Sequence, residues 1–227
     1  MADISIIQLG AWYGVFLFSV TLHEAAHAWA AMHFGDYTAH GGGQVTLNPL
    51  PHIQRSPFGM VVVPLASLFL MGWPFGYASA PYDPAWARKH HRKAALMALA
   101  GPASNFTVVL FAVLAMRLGL MFGLFTMPGE FGFATLVAGT ASTGAFAMLI
   151  SQLFTMNLVL TTLNLLPVPP LDGSEIINLL LNARQAEKFS TLIRNPSFGI
   201  IGLIIAWNIF PHVFNIAFSI IFPLIYP

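Results

Sequence analysis

Leu17-Phe18-Ser19-Val20-Thr21-Leu22-His23-Glu24-Ala25-Ala26-His27-Ala28-Trp29-Ala30 sets two imidazoles and a carboxylate inside an apolar run that extends from about Ile4 to Phe34. On a helix, residues four apart share a face, so His23 and His27 can reach one cation, and Glu24 faces the water that such a cation activates. The run exceeds the roughly 18 apolar residues that a membrane crossing needs. Ionisable groups at that depth are costly and mark a functional site. The competing reading is a polar kink whose histidines are satisfied by neighbours, and a third ligand decides between the two.

Composition fixes the class of protein around this motif. The chain is 57% hydrophobic and 7% charged, whereas soluble domains carry about 25% charged residues, so it cannot cover a water-facing surface. It reads as a polytopic α-helical membrane protein with about four to six membrane helices. The net charge of +1 and the lack of a basic stripe give no sign of nucleic acid as a partner. With no cysteine, disulfides and thiolate chemistry are excluded, and any metal must use His and carboxylate ligands. The first apolar run lacks a basic leader and a small-residue cleavage site, so it is expected to be retained as a membrane helix.

Outward from the motif, Gly41-Gly42-Gly43 followed by Gln44-Val45-Thr46-Leu47 and Asn48-Pro49-Leu50-Pro51 predicts a turn, a short β-strand and a proline-stopped loop. This is the expected small membrane-associated β-element. Residues 58–75 are apolar but interrupted by Pro64, Gly72 and Pro74. Long helices are expected over 94–125 and 134–166, a short amphipathic helix over 172–183, a polar stretch over 184–196, and a last membrane helix over about 198–225. Lys and Arg fall at 55, 88, 89, 92, 93, 184, 188 and 194, with Arg117 alone elsewhere. By the positive-inside rule 35–57, 76–93 and 183–197 are cytoplasmic, which turns 58–75 into a re-entrant hairpin, with a full crossing as the alternative. The N-terminus is then outside and the His motif approaches the cytoplasmic face. Residues 1–227 read as one domain with a catalytic core of about 14–182.

Candidates for a third ligand in the membrane are few: Asp172, Glu175, His33 and His52. Asp172 follows Asn164-Leu165-Leu166-Pro167-Val168-Pro169-Pro170-Leu171 and precedes Gly173. Three prolines break the helix end and free a carboxylate to turn inward, although the same position also suits a plain helix cap.

His23-Glu24-Ala25-Ala26-His27 together with Asn164-Leu165-Leu166-Pro167-Val168-Pro169-Pro170-Leu171-Asp172-Gly173 resembles the site-2 protease family of intramembrane zinc metalloproteases, in its compact bacterial branch. The resemblance spans about Gly14 to Asn182. It implies one Zn2+ held by His23, His27 and Asp172, with Glu24 as catalytic base and Asn164 as a contact to the substrate backbone or oxyanion. Gly101-Pro102-Ala103-Ser104-Asn105 and Gln44-Val45-Thr46-Leu47-Asn48-Pro49, with His52 after it, are similar to further elements of that branch. They make Val45, Thr46, Leu47, Asn48, His52 and Asn105 expected substrate-binding residues, the strand by β-augmentation of an unwound substrate helix. A local backbone bond is the alternative for His52, and a buried interhelical hydrogen bond the alternative for Asn105. The implied partners are a transmembrane protein substrate and membrane lipid, and the implied location is a bacterial cell membrane.

The chain departs from the branch at Gln54-Arg55, where an Asp is usual, and at Gly72-Trp73-Pro74-Phe75-Gly76-Tyr77-Ala78, where a Lys-Pro-Val-like run is usual. Both departures fall where a substrate would sit, away from the expected ligands. No PDZ or CBS module is expected. Arg88 to Lys93, with His90 and His91, reads as a headgroup-facing belt, and Glu175 as a residue orienting a ligand or as a first-turn helix acid. Two rival readings are a catalytically silent helix-binding relative, against which Glu24 argues, and a zinc transporter, which would place ligands along a path on both sides.

Overall fold

The computed structural model describes residues 5–226. Four helices in it are long and apolar enough to cross a bilayer: α1 (Ile6–His33), α6 (His91–Met121), α7 (Gly144–Asn164) and α10 (Pro196–Ile221). Side chains placed by the sequence start the helices. Ser5 caps α1 at Gln8 N, and Asn195 caps α10 at Ser197 N. Shorter helices α2 (Thr38–Gly41), α3 (Pro49–Arg55), α4 (Val63–Met71, entered through a π turn Phe58–Val62) and α5 (Pro84–Lys89) lie between α1 and α6. The remaining two, α8 (Asp172–Ile176) and α9 (Ala183–Ile193), lie between α7 and α10.

α6 is the axis of the bundle, packing on α1, α7 and α8. One apolar cluster joins α6, α7 and α10 through Val109, Met116, Phe154, Leu158 and Phe214. A second joins α1, α7 and the 58–75 segment through Trp12, Phe16, Val20, Met60, Leu68 and Met156. Between them lies a buried polar lattice. The Asn157 amide donates to Ser19 Oγ at 2.9 Å, and the Asn105 amide donates to Asn157 Oδ1 at 2.8 Å and to the Ser19 carbonyl at 3.2 Å. In a low-dielectric interior such a lattice is favourable only because each member is paired, and it fixes the register of α1, α6 and α7.

The excursion from α1 to α6 is a hairpin, closed by contacts that pair its two legs in reverse order. Asp36 Oδ2 accepts from Asp83 N at 2.8 Å, and the Arg55 guanidinium donates to the Ser79 carbonyl at 2.9 Å. Tyr77 N donates to the Gly59 carbonyl at 3.1 Å, and Phe75 N to Ser67 Oγ at 2.7 Å. The legs touch so closely that a Cβ at Gly59 or Gly76 would collide with the opposite backbone. Helix Phe58–Met71 rises only about 21 Å, against a hydrocarbon core of about 30 Å. The chain therefore turns at Gly72, whose φ of 72° ends α4, and returns to the end of the bundle from which it came. The chain thus doubles back on itself as a hairpin, and residues 35–57 and 76–93 share one end of the bundle.

Two expectations are corrected. Residues 45–47 form consecutive bends, and the sheet lies instead at β1 (Phe125–Thr126) paired antiparallel with β2 (Ala138–Gly139). Asn48 caps α3 through Leu50 N and draws the chain into a helix before a strand can form, and no partner strand stands beside it among the described residues. The helix expected from 134 starts at Gly144. Ser151 Oγ accepts from Leu136 N and Val137 N, and Thr155 donates to the Phe133 carbonyl, so side chains of α7 replace the helical bonds of 133–137. The 184–196 stretch, read as polar, holds α9, opened by a capping box of Asn182 and Gln185. Ile4, where the first apolar run was placed to begin, lies outside the described residues.

The absence of native cysteine makes the hairpin directly testable. Single cysteines at the exposed positions Leu47 and Ala85 should react with a membrane-impermeant maleimide from the same face of sealed vesicles; labelling from opposite faces would mean that 58–75 crosses.

Candidate metal centre

The site assembles from three helices and one broken helix end. α1 presents His23, Glu24 and His27, all at least nine-tenths buried. The chain leaves α7 at Asn164, winds through Pro167–Pro170, and re-enters a helix at Asp172. Asp172 is the first residue of α8, and its side chain makes no capping bond, so the plain-cap reading is not what is found. Gly173 permits this path: a Cβ there would strike the carbonyls of Leu165 and Leu166. The turn also rests on α10, where Gly202 leaves room for the Pro169 carbonyl.

Nε2 of His23 and Nε2 of His27 lie 3.0 Å apart, and Asp172 Oδ2 lies 3.0 Å from the first and 3.3 Å from the second. The hydrogen bonds behind these atoms decide what they are. His27 Nδ1 faces the Met97 carbonyl at 2.7 Å, an acceptor only, so Nδ1 carries the proton. His23 Nδ1 faces Asn105 Oδ1 at 2.6 Å. That oxygen is fixed as an acceptor because the Asn105 amide nitrogen donates to the Ser19 carbonyl. In the neutral form both imidazoles thus turn an Nε2 lone pair toward the other and toward a carboxylate. Three converging acceptors repel unless a cation lies among them.

The donor set fits zinc. Two imidazole nitrogens and one carboxylate oxygen leave a fourth position free, the pattern of catalytic zinc. Tetrahedral bonds of about 2.0–2.1 Å separate ligand atoms by roughly 3.3 Å, close to the spacing found. Gly101 closes one side: a Cβ there would overlap Nε2 of both histidines and fill the space a metal requires.

Glu24 adds a reactive group beside this cluster. Its Oε2 is buried and has no hydrogen-bond partner. Glu24, His27 and Asp172 line a cavity of about 400 Å³, whose walls are Ala78–Tyr82 of the returning hairpin leg, α6 at Met97 and Ala98, and the α9–α10 junction. At its rim Arg194 lies 3.8 Å from Glu175 and stacks over the Tyr82 ring. Burial pushes the Glu175 carboxyl up, and Arg194 and the Asn178 amide pull against that shift. Neither Tyr82 nor Arg194 was singled out from sequence, because each lies far along the chain from the motifs and in an unremarkable context.

Other expected site residues are placed differently. Asn105 is fully buried with both amide groups engaged, so it positions His23 and has no surface for substrate. His52 is buried and its Nε2 donates to the Thr46 carbonyl, a local backbone contact. Val45, Thr46, Leu47 and Asn48 do not line the cavity. The Asn164 amide donates to the Leu160 carbonyl at 3.1 Å and makes no bond to His23, His27, Glu24 or Asp172.

Comparison with known proteins agrees with this geometry. The profile described as "Peptidase family M50" matches residues 11–206. "Putative zinc metalloprotease YwhC" of Bacillus subtilis is 34% identical over 182 residues, covering 77% of this chain and 74% of that protein. "Putative zinc metalloprotease Rip2" of Mycolicibacterium smegmatis is 30% identical over 78% of this chain and 58% of its own length. The protein of that name from Mycobacterium tuberculosis is 32% identical over 76% of this chain and 56% of its own length. The chain therefore spans less than two thirds of the mycobacterial relatives. No solved structure matches it.

Gly101→Ala should abolish stoichiometric zinc in the purified protein while leaving it folded. Asn105→Leu, which frees the His23 ring, should weaken zinc binding about 10- to 100-fold. Competition with a chromophoric chelator measures both, and native zinc affinity in either variant would contradict the arrangement.

Proposed function

The chain belongs to peptidase family M50, the intramembrane zinc metalloproteases, and from that premise we propose that it hydrolyses peptide bonds in or near transmembrane segments of other membrane proteins, at a centre opening toward the cytoplasm. The observation that carries the chemical assignment is the unpartnered Glu24 carboxylate oxygen beside three converging ligand atoms in one cavity.

In this reading His23, His27 and Asp172 hold the metal, and Asn105 and the Met97 carbonyl hold the two rings. When bound, zinc supplies Lewis acidity, polarising a carbonyl and acidifying water. Glu24 takes the proton from the attacking water, its Oε2 being free of protein donors, and returns it to the leaving nitrogen. Asn164 stands outside the cavity lining but keeps an N–H beyond the one bonded to Leu160, and that group is the proposed donor to the developing oxyanion. A substrate must be locally unwound to expose its backbone. Ala78–Tyr82, non-helical and small in its first three side chains, is the wall along which an extended chain would lie, in place of 45–47.

Charge supports the orientation. The excursion 34–90, the first turn of α6 with Arg92 and Lys93, and the segment 165–195 lie at the His33 end of α1 and contain eight of the nine basic residues. Arg117 is at the other end, where its guanidinium donates to the Leu224 carbonyl. With that end outside, both ends of the described chain are outside and the cavity faces the cytoplasm.

Glu24→Gln should retain one zinc per chain and lose cleavage of a transmembrane peptide by at least about 100-fold. Normal cleavage by the variant would defeat the mechanism. Zinc flux into liposomes, with no cleavage by the wild type, would favour transport.

A further inference from the structure

The hairpin tip forms a second pocket, of about 360 Å³, lined by Gln8, Trp12, Met71, Gly72, Trp73 and Phe133. It is aromatic and open. Trp73 packs on Trp12 with ring centroids 4.3 Å apart, and Phe133 lies 6.0 Å from Trp73 and 6.1 Å from Phe214 of α10. Met71 and Phe133 are more than half exposed.

Its position relative to the metal centre can be measured along two paths. Along α1, Trp12 precedes His23 by eleven residues, about 16 Å of helix. Along the returning leg, Trp73 precedes Ala78, the first residue of that leg on the active-site cavity, by five residues, at most about 17 Å of extended chain. The leg is pinned against α1 between these points, since Gly76 lies against the Phe16 ring. One continuous non-helical segment, 72–82, therefore runs from the tip pocket to the cavity, and α10 flanks both ends, at Gly199 and at Phe214.

Depth limits the occupant. α7 rises about 31 Å, one hydrocarbon thickness, and its Asn157 is level with Ser19 of α1, which puts the nearer hydrocarbon edge close to His27. The tip pocket then lies about 22 Å inside that edge, still within hydrocarbon. An occupant at that depth is apolar, a lipid chain or a side chain of a membrane-spanning segment, and the continuous run of 72–82 from the pocket to the active-site cavity favours the second. Resting on the proteolytic reading above, we propose that the tip pocket is an exosite that seats an apolar side chain of the substrate's own transmembrane segment, on the outer side of the scissile bond. With three residues unwound at the cut and the rest helical, 16 Å corresponds to about seven residues; with no unwinding, to about eleven. The exosite thus reads a side chain about seven to eleven residues outward from the cut and fixes which peptide bond reaches Glu24.

The test is a Leu→Ser scan through a single-span peptide in detergent or bicelles, cleaved by wild type, Phe133→Ala and Met71→Ser. Within the seven-to-eleven window one position should raise KM about tenfold with kcat unchanged, and that penalty should fall below about twofold in either variant. A penalty of equal size in all three proteins, or none within the window, overturns the exosite and leaves the pocket to a lipid chain. Docking is read separately by crosslinking from a photoreactive residue at position 71 in the Glu24→Gln protein. A crosslink to the predicted window supports the exosite, and one confined to other positions overturns it. Failure of the zinc-loaded wild type to cleave any peptide overturns the proteolytic reading, whatever the crosslink shows.

Discussion

Three electron-pair donors that point at one another inside a membrane cannot be left alone. Their mutual repulsion in a low-dielectric interior is severe, and relief comes from a cation placed among them. Much of the structure serves to create and hold this arrangement. The Met97 carbonyl and Asn105 fix the tautomers so that the lone pairs converge, and Asn157 and Ser19 fix Asn105 in turn. Proline-broken chain brings Asp172 back toward the rings, and Gly101 keeps α6 from filling the space between them. The same lattice that binds α1, α6 and α7 into a bundle therefore orients the ligands, and a loss of register would scatter both.

The hairpin between α1 and α6 serves a complementary need. A membrane protease must admit water and an unwound backbone without exposing its own unpaired backbone to lipid. Here polar groups of the returning leg are answered within the hairpin, Phe75 N by Ser67, Tyr77 N by Gly59 and the Ser79 carbonyl by Arg55. It presents a non-helical wall to the cavity with Glu24 opposite. The Arg194–Glu175–Tyr82 contact at the rim joins this wall to α8 and the α9–α10 junction.

Much of this was legible in the chain itself, for identifiable reasons. His23, Glu24, His27 and Asp172 stood out because ionisable residues in apolar runs are rare. The hairpin was half readable: basic residues bracket a proline- and glycine-broken segment, which favours a re-entrant path and leaves a full crossing as the alternative. What was missed depended on contacts remote in sequence. The 45–47 strand had suitable residues but no partner, and a lone strand has nowhere to place its backbone bonds. The start of α7 was set by Ser151 and Thr155 reaching back to 133–137, which hydropathy cannot register. For Asn105 the resemblance suggested a substrate contact and the residue alone a buried interhelical bond. Its bonds run to His23 of α1 and Asn157 of α7, one 82 and the other 52 residues away, and which partners it takes could not be read from its neighbours. The role of Gly101 came only from finding two imidazoles against its Cα.

The central claim is that one zinc is held by two imidazole nitrogens and one carboxylate within the membrane. X-ray absorption at the zinc edge of the purified protein tests it most directly. The account predicts one zinc per chain, four-coordinate, with a shell of nitrogen and oxygen at about 2.0–2.1 Å and the multiple-scattering signature of two imidazoles. An all-oxygen six-coordinate shell, or zinc well below one per chain, would contradict it.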